Sequence, residues 1–161
     1  MNMNLLKDLV DEAAQKMNSE DFEGALNVAE KLRSLDSHYL VSYFVSGILI
    51  DCGCALRDEK IVNEGVKLLQ KDFKKIVQSA YAPAAYYNLA NGYYVLFQFK
   101  MTKDPCFSMF KETELNKAKF YFRMALEYAP QGAMFISQIL TNLANCYDTL
   151  GRVLDALDCY E

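Results

Sequence analysis

Asparagines recur at a fixed spacing in two distant stretches of the chain. Asn88 and Asn91 are three residues apart, and Asn142 and Asn145 repeat that spacing 54 residues later. If both stretches are helical, each pair shares one helix face. An asparagine amide both donates and accepts, so it can pair with the N–H and C=O of an extended peptide whatever the peptide's side chains are. The pairs are therefore candidate peptide-binding residues; alternatively, one asparagine of each pair bonds a neighbouring helix as a packing residue.

Residues that could perform catalysis are few. His38 is the only histidine, and it stands where a helix is expected to begin, so we expect it to cap that helix. The sequence contains no glycine-rich phosphate loop, no G-x-S-x-G and no H-E-x-x-H motif. The carboxylates are spread over helix faces that we expect to be solvated. We therefore expect a protein that is not an enzyme and that has no cofactor.

The number and spacing of the cysteines indicate free thiols. Their number is odd, their spacing is irregular, and no two of them form a C-x-x-C motif; they are Cys52, Cys54, Cys106, Cys146 and Cys159. A disulfide framework is disfavoured, and so is a zinc site, because only one histidine could join it. We expect no metal and thiols that pack as small hydrophobic side chains.

The composition limits the class of protein. Of the 161 residues 52% are hydrophobic and 24% are charged, so the chain can bury a core as one domain. Three prolines and seven glycines are too few for the frequent turns of an all-β fold. The net charge of −4 argues against a dedicated binder of nucleic acid or of anionic membranes. The apolar runs are too short to span a membrane and the N-terminus lacks a signal-peptide pattern, so we expect a cytoplasmic protein.

Apolar residues recur at steps of three and four along most of the chain, which is the period of an α-helix. We predict an all-α protein with helices at about 4–17, 21–35, 38–56, 59–79, 83–100, 112–128, 131–150 and from 153 onward. These pair as four hairpins at about 4–36, 38–79, 83–130 and 131–161. Gly151 is expected to end the seventh helix in a left-handed conformation.

The asparagine pairs belong to a longer internal repeat. Stretches 86–93 and 140–147 share Asn-Leu-Ala-Asn-x-Tyr, and each is followed by a helix with an alanine in register, Ala118 or Ala156. The pattern resembles that of the tetratricopeptide repeat (TPR) family, with large, small and tyrosine positions on one helix and alanine, aromatic, alanine and proline positions on the next. In this chain those positions are held by Tyr86, Ala90, Tyr93, Ala118, Phe122, Ala125 and Pro130, and then by Leu140, Ala144, Tyr147, Gly151, Ala156 and Tyr160.

The resemblance implies a right-handed α-solenoid of about four hairpins, the last incomplete, forming a single array over residues 1–161. It also implies that the first helix of each hairpin lines a concave groove. The positions that match the groove are Tyr87, Asn88, Asn91 and Tyr94 in hairpin three and Thr141, Asn142, Asn145 and Asp148 in hairpin four. The first two hairpins match less well, since Lys16 stands where the pattern has tyrosine and Gly65 where it has alanine.

The groove positions of hairpin two are apolar, which suits an amphipathic helix or an apolar peptide; they are Val41, Phe44, Val45 and Ile48. No basic pair is present, so the acid-binding clamp of one TPR subgroup is disfavoured. We expect a non-catalytic scaffold that binds a protein or peptide partner in the groove. The alternative is an N-terminal sensor or regulatory module of a larger effector or enzyme, for instance a prokaryotic one, whose catalytic domain lies beyond residue 161.

Two segments depart from the repeat. An inserted loop at about 100–112 carries Phe107, Met109 and Phe110, which are too apolar for a freely solvated loop; they either fold back on the hairpin edge or form a lip for a partner. The last helix stops after about nine residues, so we expect the chain to be the N-terminal part of a longer protein, with a natural C-terminus as the alternative. Self-association through the incomplete end of the array is a further expectation.

Overall fold

The computed structural model describes residues 2–35, 38–104, 113–130 and 132–160. Every regular element in these ranges is an α-helix, so the predicted all-α class is confirmed. The helices are α1 (Met3–Asn18), α2 (Phe22–Leu35), α3 (Tyr39–Ala55), α4 (Glu59–Ile76), α5 (Ala82–Lys103), α6 (Thr113–Tyr128), α7 (Ala133–Thr149) and α8 (Val153–Tyr160). Each predicted helix corresponds to one of these, with ends that differ by three residues at most.

The largest differences lie at the end of α4 and the end of α5. A turn follows Ile76, where the Ser79 hydroxyl accepts a hydrogen bond from the Tyr81 N–H at 3.2 Å. A serine that bonds the backbone two residues ahead favours a turn over a helix, which explains why α4 ends before residue 79. Helix α5 continues to Lys103, past the predicted start of the inserted loop. Residues 105–112, and with them the apolar loop residues, lie outside the described part of the chain.

Two helix ends are closed as the sequence predicts. The His38 Nδ1 atom accepts from the Leu40 N–H at 3.3 Å, so His38 is the N-cap of α3. Gly151 has a φ of +68° and follows the end of α7. Its N–H donates to the Asp148 carbonyl oxygen at 2.8 Å, and the next N–H donates to the Tyr147 carbonyl oxygen at 2.9 Å. A residue without Cβ adopts this left-handed conformation at little cost.

The chain divides into two compact units, Met1–Ile76 and Val77–Glu161. In the first unit α1 packs against α2, α2 against α3 and α3 against α4. Most residues of α3 are buried, and Val45 and Ile48 are 0% and 5% exposed. The expectation that these two line an open apolar surface is therefore wrong, because the packing of the surrounding helices places them in the core.

Helices α3 and α4 approach each other closely at Gly65. A Cβ atom at this position would lie 3.0 Å from the Ser46 carbonyl oxygen and 3.0 Å from the Leu49 Cβ. Both distances are shorter than ordinary van der Waals contacts, and backbone cannot swing aside as a side chain can. A methyl group at this position would therefore require α3 to shift by a few tenths of an ångström, which favours glycine here.

In the second unit α5 packs against α6, α6 against α7 and α7 against α8. The small residues Ala90 and Ala118 have no exposed surface, and neither do the large residues Leu115 and Phe122. Small side chains let two helices approach, and large ones a turn away fill the space beside them. The alanine and phenylalanine positions of the repeat in this pair of helices are thus core positions.

The cysteines follow the expectation only in part. Cys52 and Cys146 are buried, and burial raises their pKa values to about 11 and about 12, which keeps both protonated at neutral pH. Cys54 is exposed and Cys159 is half-buried, so these two are not core residues; Cys106 lies outside the described residues. Across the described ranges, His, Cys, Asp and Glu do not gather in groups of three that could bind a metal ion. No helix there combines the length and the apolar character that crossing a membrane requires.

Candidate functional site

An open cleft of about 330 Å³ lies between α5 and α7 in the second unit. It is lined by Tyr87, Met134, Ser137, Gln138, Thr141 and Asn142. The lining residues of α7 follow one another at steps of three and four, so they share one helix face. None of the lining residues is charged, which makes the cleft electrically neutral.

Asn142 links the two sides of this cleft. Its Nδ2 atom donates to the Tyr87 hydroxyl at 3.1 Å and to the Asn91 Oδ1 at 3.0 Å. An asparagine amide has two hydrogens, and these two bonds use both of them. The amide nitrogen therefore serves the packing of α7 on α5, while the Oδ1 atom is left as the group's acceptor.

Tyr87 is held in place by its aromatic neighbours. Its ring meets the Phe122 ring at 5.9 Å with a 63° interplanar angle, and the Phe135 ring at 5.5 Å with a 64° angle. Edge-to-face contacts of this kind are the preferred geometry of aromatic pairs. Because the hydroxyl accepts from Asn142, its own proton remains available for donation.

The remaining wall of the cleft carries an exposed apolar side chain. Met134 is 80% exposed, and its unbranched thioether side chain can adapt to different shapes. The Thr141 hydroxyl is engaged, because it donates to the Ser137 carbonyl oxygen at 2.8 Å within α7. One face of the cleft is thus a fixed aromatic and amide surface, and the other carries an adaptable apolar side chain.

The structure brings four of the eight predicted groove residues together: Tyr87, Asn91, Thr141 and Asn142. Asn145 is engaged elsewhere, since its Oδ1 accepts from the Tyr160 hydroxyl at 3.1 Å and so ties α7 to α8. The other three predicted residues are outside the lining of the cleft: Asn88 and Tyr94 are half-buried, and Asp148 is exposed.

Sequence reasoning missed Met134 and Ser137 as cleft residues. The signal that would have found them is helical spacing, because they precede Thr141 by seven and four residues and so share its face. The sequence leaves open whether Asn142 binds a peptide or bonds a neighbouring helix; its amide nitrogen bonds the neighbouring helix α5.

A search against models of known protein families returns no match for this chain, and neither does a search of curated proteins. A neutral surface with one amide acceptor, one phenolic donor and apolar side chains can bind a polar backbone together with uncharged side chains.

Proposed function

We propose that this protein is a non-catalytic helical-repeat scaffold of the TPR type, which binds an extended peptide segment of a partner protein in the α5–α7 cleft. The proposal includes a right-handed array of about four hairpins. It is supported by the packing of consecutive helices within each unit and by the burial of Ala90 and Ala118, the small residues of the repeat.

The observation that carries the proposal is the pair of hydrogen bonds made by the Asn142 amide nitrogen. With both amide hydrogens engaged, Asn142 offers only an acceptor, while the Tyr87 hydroxyl beside it offers a donor. An acceptor next to a donor is the complement of the N–H and C=O of a peptide backbone. Recognition through the backbone gives affinity that depends little on the sequence of the peptide.

The lining of the cleft selects among peptides. A volume of about 330 Å³ is at the small end of ligand pockets, so we expect it to hold one or two peptide side chains. Met134 and the Tyr87 ring favour uncharged or apolar side chains. An acidic peptide finds no cation among the lining residues, in agreement with the absence of a basic clamp in the sequence.

The test uses peptides selected on the protein itself from a phage-displayed library of random nonapeptides. We expect Asn142→Ala to weaken binding of the selected peptides by about 1–3 kcal/mol, because a peptide N–H would lose its acceptor. Tyr87→Phe, which keeps the ring and removes the hydroxyl, should weaken binding in the same direction. Fluorescence anisotropy at a temperature well below the melting transition measures both effects.

The matched control is Asn88→Ala, since Asn88 holds the repeat position of Asn142 but lies outside the cleft lining. It should leave affinity and melting temperature nearly unchanged, whereas Asn142→Ala should also lower the melting temperature by removing the bonds to α5. Selected peptides that bind Asn142→Ala as tightly as the unchanged chain would contradict the proposal. So would a library that enriches equally on Thr141→Lys, in which a lysine fills the cleft.

A further inference from the structure

A second group of polar side chains converges on Tyr147, on a different side of α7. The Lys119 Nζ, the Arg123 Cζ and the Arg152 Cζ lie 5.9, 5.7 and 5.0 Å from the centre of the Tyr147 ring. Arg123 also donates to the Tyr147 hydroxyl. Tyr147 is only 4% exposed, so its ring is a buried aromatic surface that all three cations approach. Cations over the face of a tyrosine are attracted by its ring quadrupole.

This group, the Tyr147 basic cluster, is separate from the α5–α7 cleft. Tyr147 lies five residues beyond Asn142 on α7, which places it about 140° further round the helix axis. The cations come from α6 and from the turn between α7 and α8. A ligand on the cluster would therefore contact a surface that the proposed peptide does not use.

The charges of the cluster are not balanced. Arg152 forms a two-pronged pair with Asp155, with Nε to Oδ2 and an Nη to Oδ1 both at 2.8 Å. Over the described ranges no carboxylate lies within ion-pair distance of either Lys119 or Arg123. Among the described residues, Lys119 and Arg123 thus have no ion-pair partner, although the chain as a whole carries a net charge of −4.

The surroundings of Lys119 disfavour its positive charge. Burial, followed by the positive charges of Arg152 and Arg123, lowers the pKa of Lys119 below its ordinary value, while Cys146 and Asp155 act in the opposite direction. Like charges held close together repel, and an anion bound between them would remove that repulsion.

We propose that Lys119, Arg123 and Arg152 form a binding site for a phosphate monoester over the face of Tyr147. A phosphate monoester carries close to two negative charges at pH 7, which matches the charges of Lys119 and Arg123. The planar fork of an arginine pairs with phosphate oxygens through two parallel hydrogen bonds, and lysine adds a point charge. The same group can come from a free phosphorylated small molecule or from a phosphorylated side chain of a partner protein.

The test is a titration at constant ionic strength with three probes: methyl phosphate, a phosphoserine pentapeptide and the serine form of that pentapeptide. Amide resonances near Lys119, Arg123 and Arg152 should shift in a saturable way with the two phosphorylated probes and not with the serine form. Lys119→Gln and Arg123→Gln should each raise the dissociation constant about tenfold or more. Lys117→Gln is the matched control, because Lys117 lies on the same helix with its Nζ 4.8 Å from the Tyr93 ring; it should change binding less than about twofold.

Two supporting outcomes distinguish the source of the phosphate. Equal affinity for methyl phosphate and the phosphopeptide identifies a free monoester, and affinity about tenfold higher for the phosphopeptide identifies a phosphorylated partner. The proposal is overturned if no phosphorylated probe gives a saturable shift at millimolar concentration. Equal weakening by Lys117→Gln would also overturn it, because binding would then follow overall charge and not the cluster. Melting curves of every variant confirm that the compared proteins are folded.

Discussion

Helices α6 and α8 carry the same repeat pattern but differ in burial. Leu115, Ala118 and Phe122 of α6 hold the positions that Val153, Ala156 and Tyr160 hold in α8. All three residues of α6 have no exposed surface. In α8 only Ala156 is buried, at 4%, whereas Val153 is 57% exposed and Tyr160 is 55% exposed. The same repeat pattern is therefore fully buried in α6 and largely exposed in α8.

The number of neighbouring helices explains the difference. Helix α6 packs against α5 and against α7, while α8 packs against α7 in the described part of the chain. The small residue is buried in both helices, as a close approach to the hairpin partner requires. The large residues reach full burial only in the helix that has neighbours on two sides. An amphipathic pattern therefore shows which face is apolar, and the surrounding helices determine how much of it is covered.

The largest expected effect is the difference in stability loss between alanine variants of Phe122 and Tyr160. Phe122→Ala should destabilise the protein by about 3–5 kcal/mol, because it opens a cavity at a fully buried position. Tyr160→Ala should cost less than about 1 kcal/mol, because more than half of its side chain is already in contact with solvent. Urea denaturation of the two variants measures both values. Equal losses would show that the exposed face of α8 is covered in solution.

A smaller effect tests the buried alanine position that α6 and α8 share. Ala118→Leu and Ala156→Leu should each destabilise by about 1–3 kcal/mol, because a larger side chain does not fit between the helices of a hairpin. Ala14→Leu, at an exposed position of α1, is the control and should stay within about 0.5 kcal/mol. A loss for Ala118→Leu without one for Ala156→Leu would mean that α8 is not docked on α7 in solution.

The smallest effect concerns the exposed apolar residues of α8. Leu154→Lys should change stability by no more than about 0.5 kcal/mol, since Leu154 is 77% exposed. If this face causes the self-association expected from the sequence, the variant should show a lower apparent mass in light scattering at high concentration. Asn116→Lys, at the aligned position of α6, is the matched control and should not alter the apparent mass. If the unchanged chain, Leu154→Lys and Asn116→Lys all have the same apparent mass, the exposed face of α8 does not cause self-association.

Much of the fold could be predicted because helix formation is a local property. Apolar spacing located the helices, and the caps at His38 and Gly151 followed from the preferences of those residue types. The end of α4 was misplaced because the turn at Ser79 depends on one side-chain bond that the apolar pattern does not report. The apolar stretch of α3 was also misjudged, since a helix that is apolar on most sides does not itself reveal which side remains open.

The candidate site shows where local information ends. Asn88 and Asn142 stand in the same Asn-Leu-Ala-Asn motif, and the sequence by itself determines that both lie on a helix at the same repeat position. Only the tertiary structure decided that the Asn142 amide bonds Asn91, which is 51 residues away, and that Arg123 meets Tyr147 across 24 residues. The physical reason is that helix propensity and capping act between neighbours in the chain, whereas these bonds require two helices to pack side by side. The same packing decided that Phe122 is buried and that its counterpart Tyr160 is exposed.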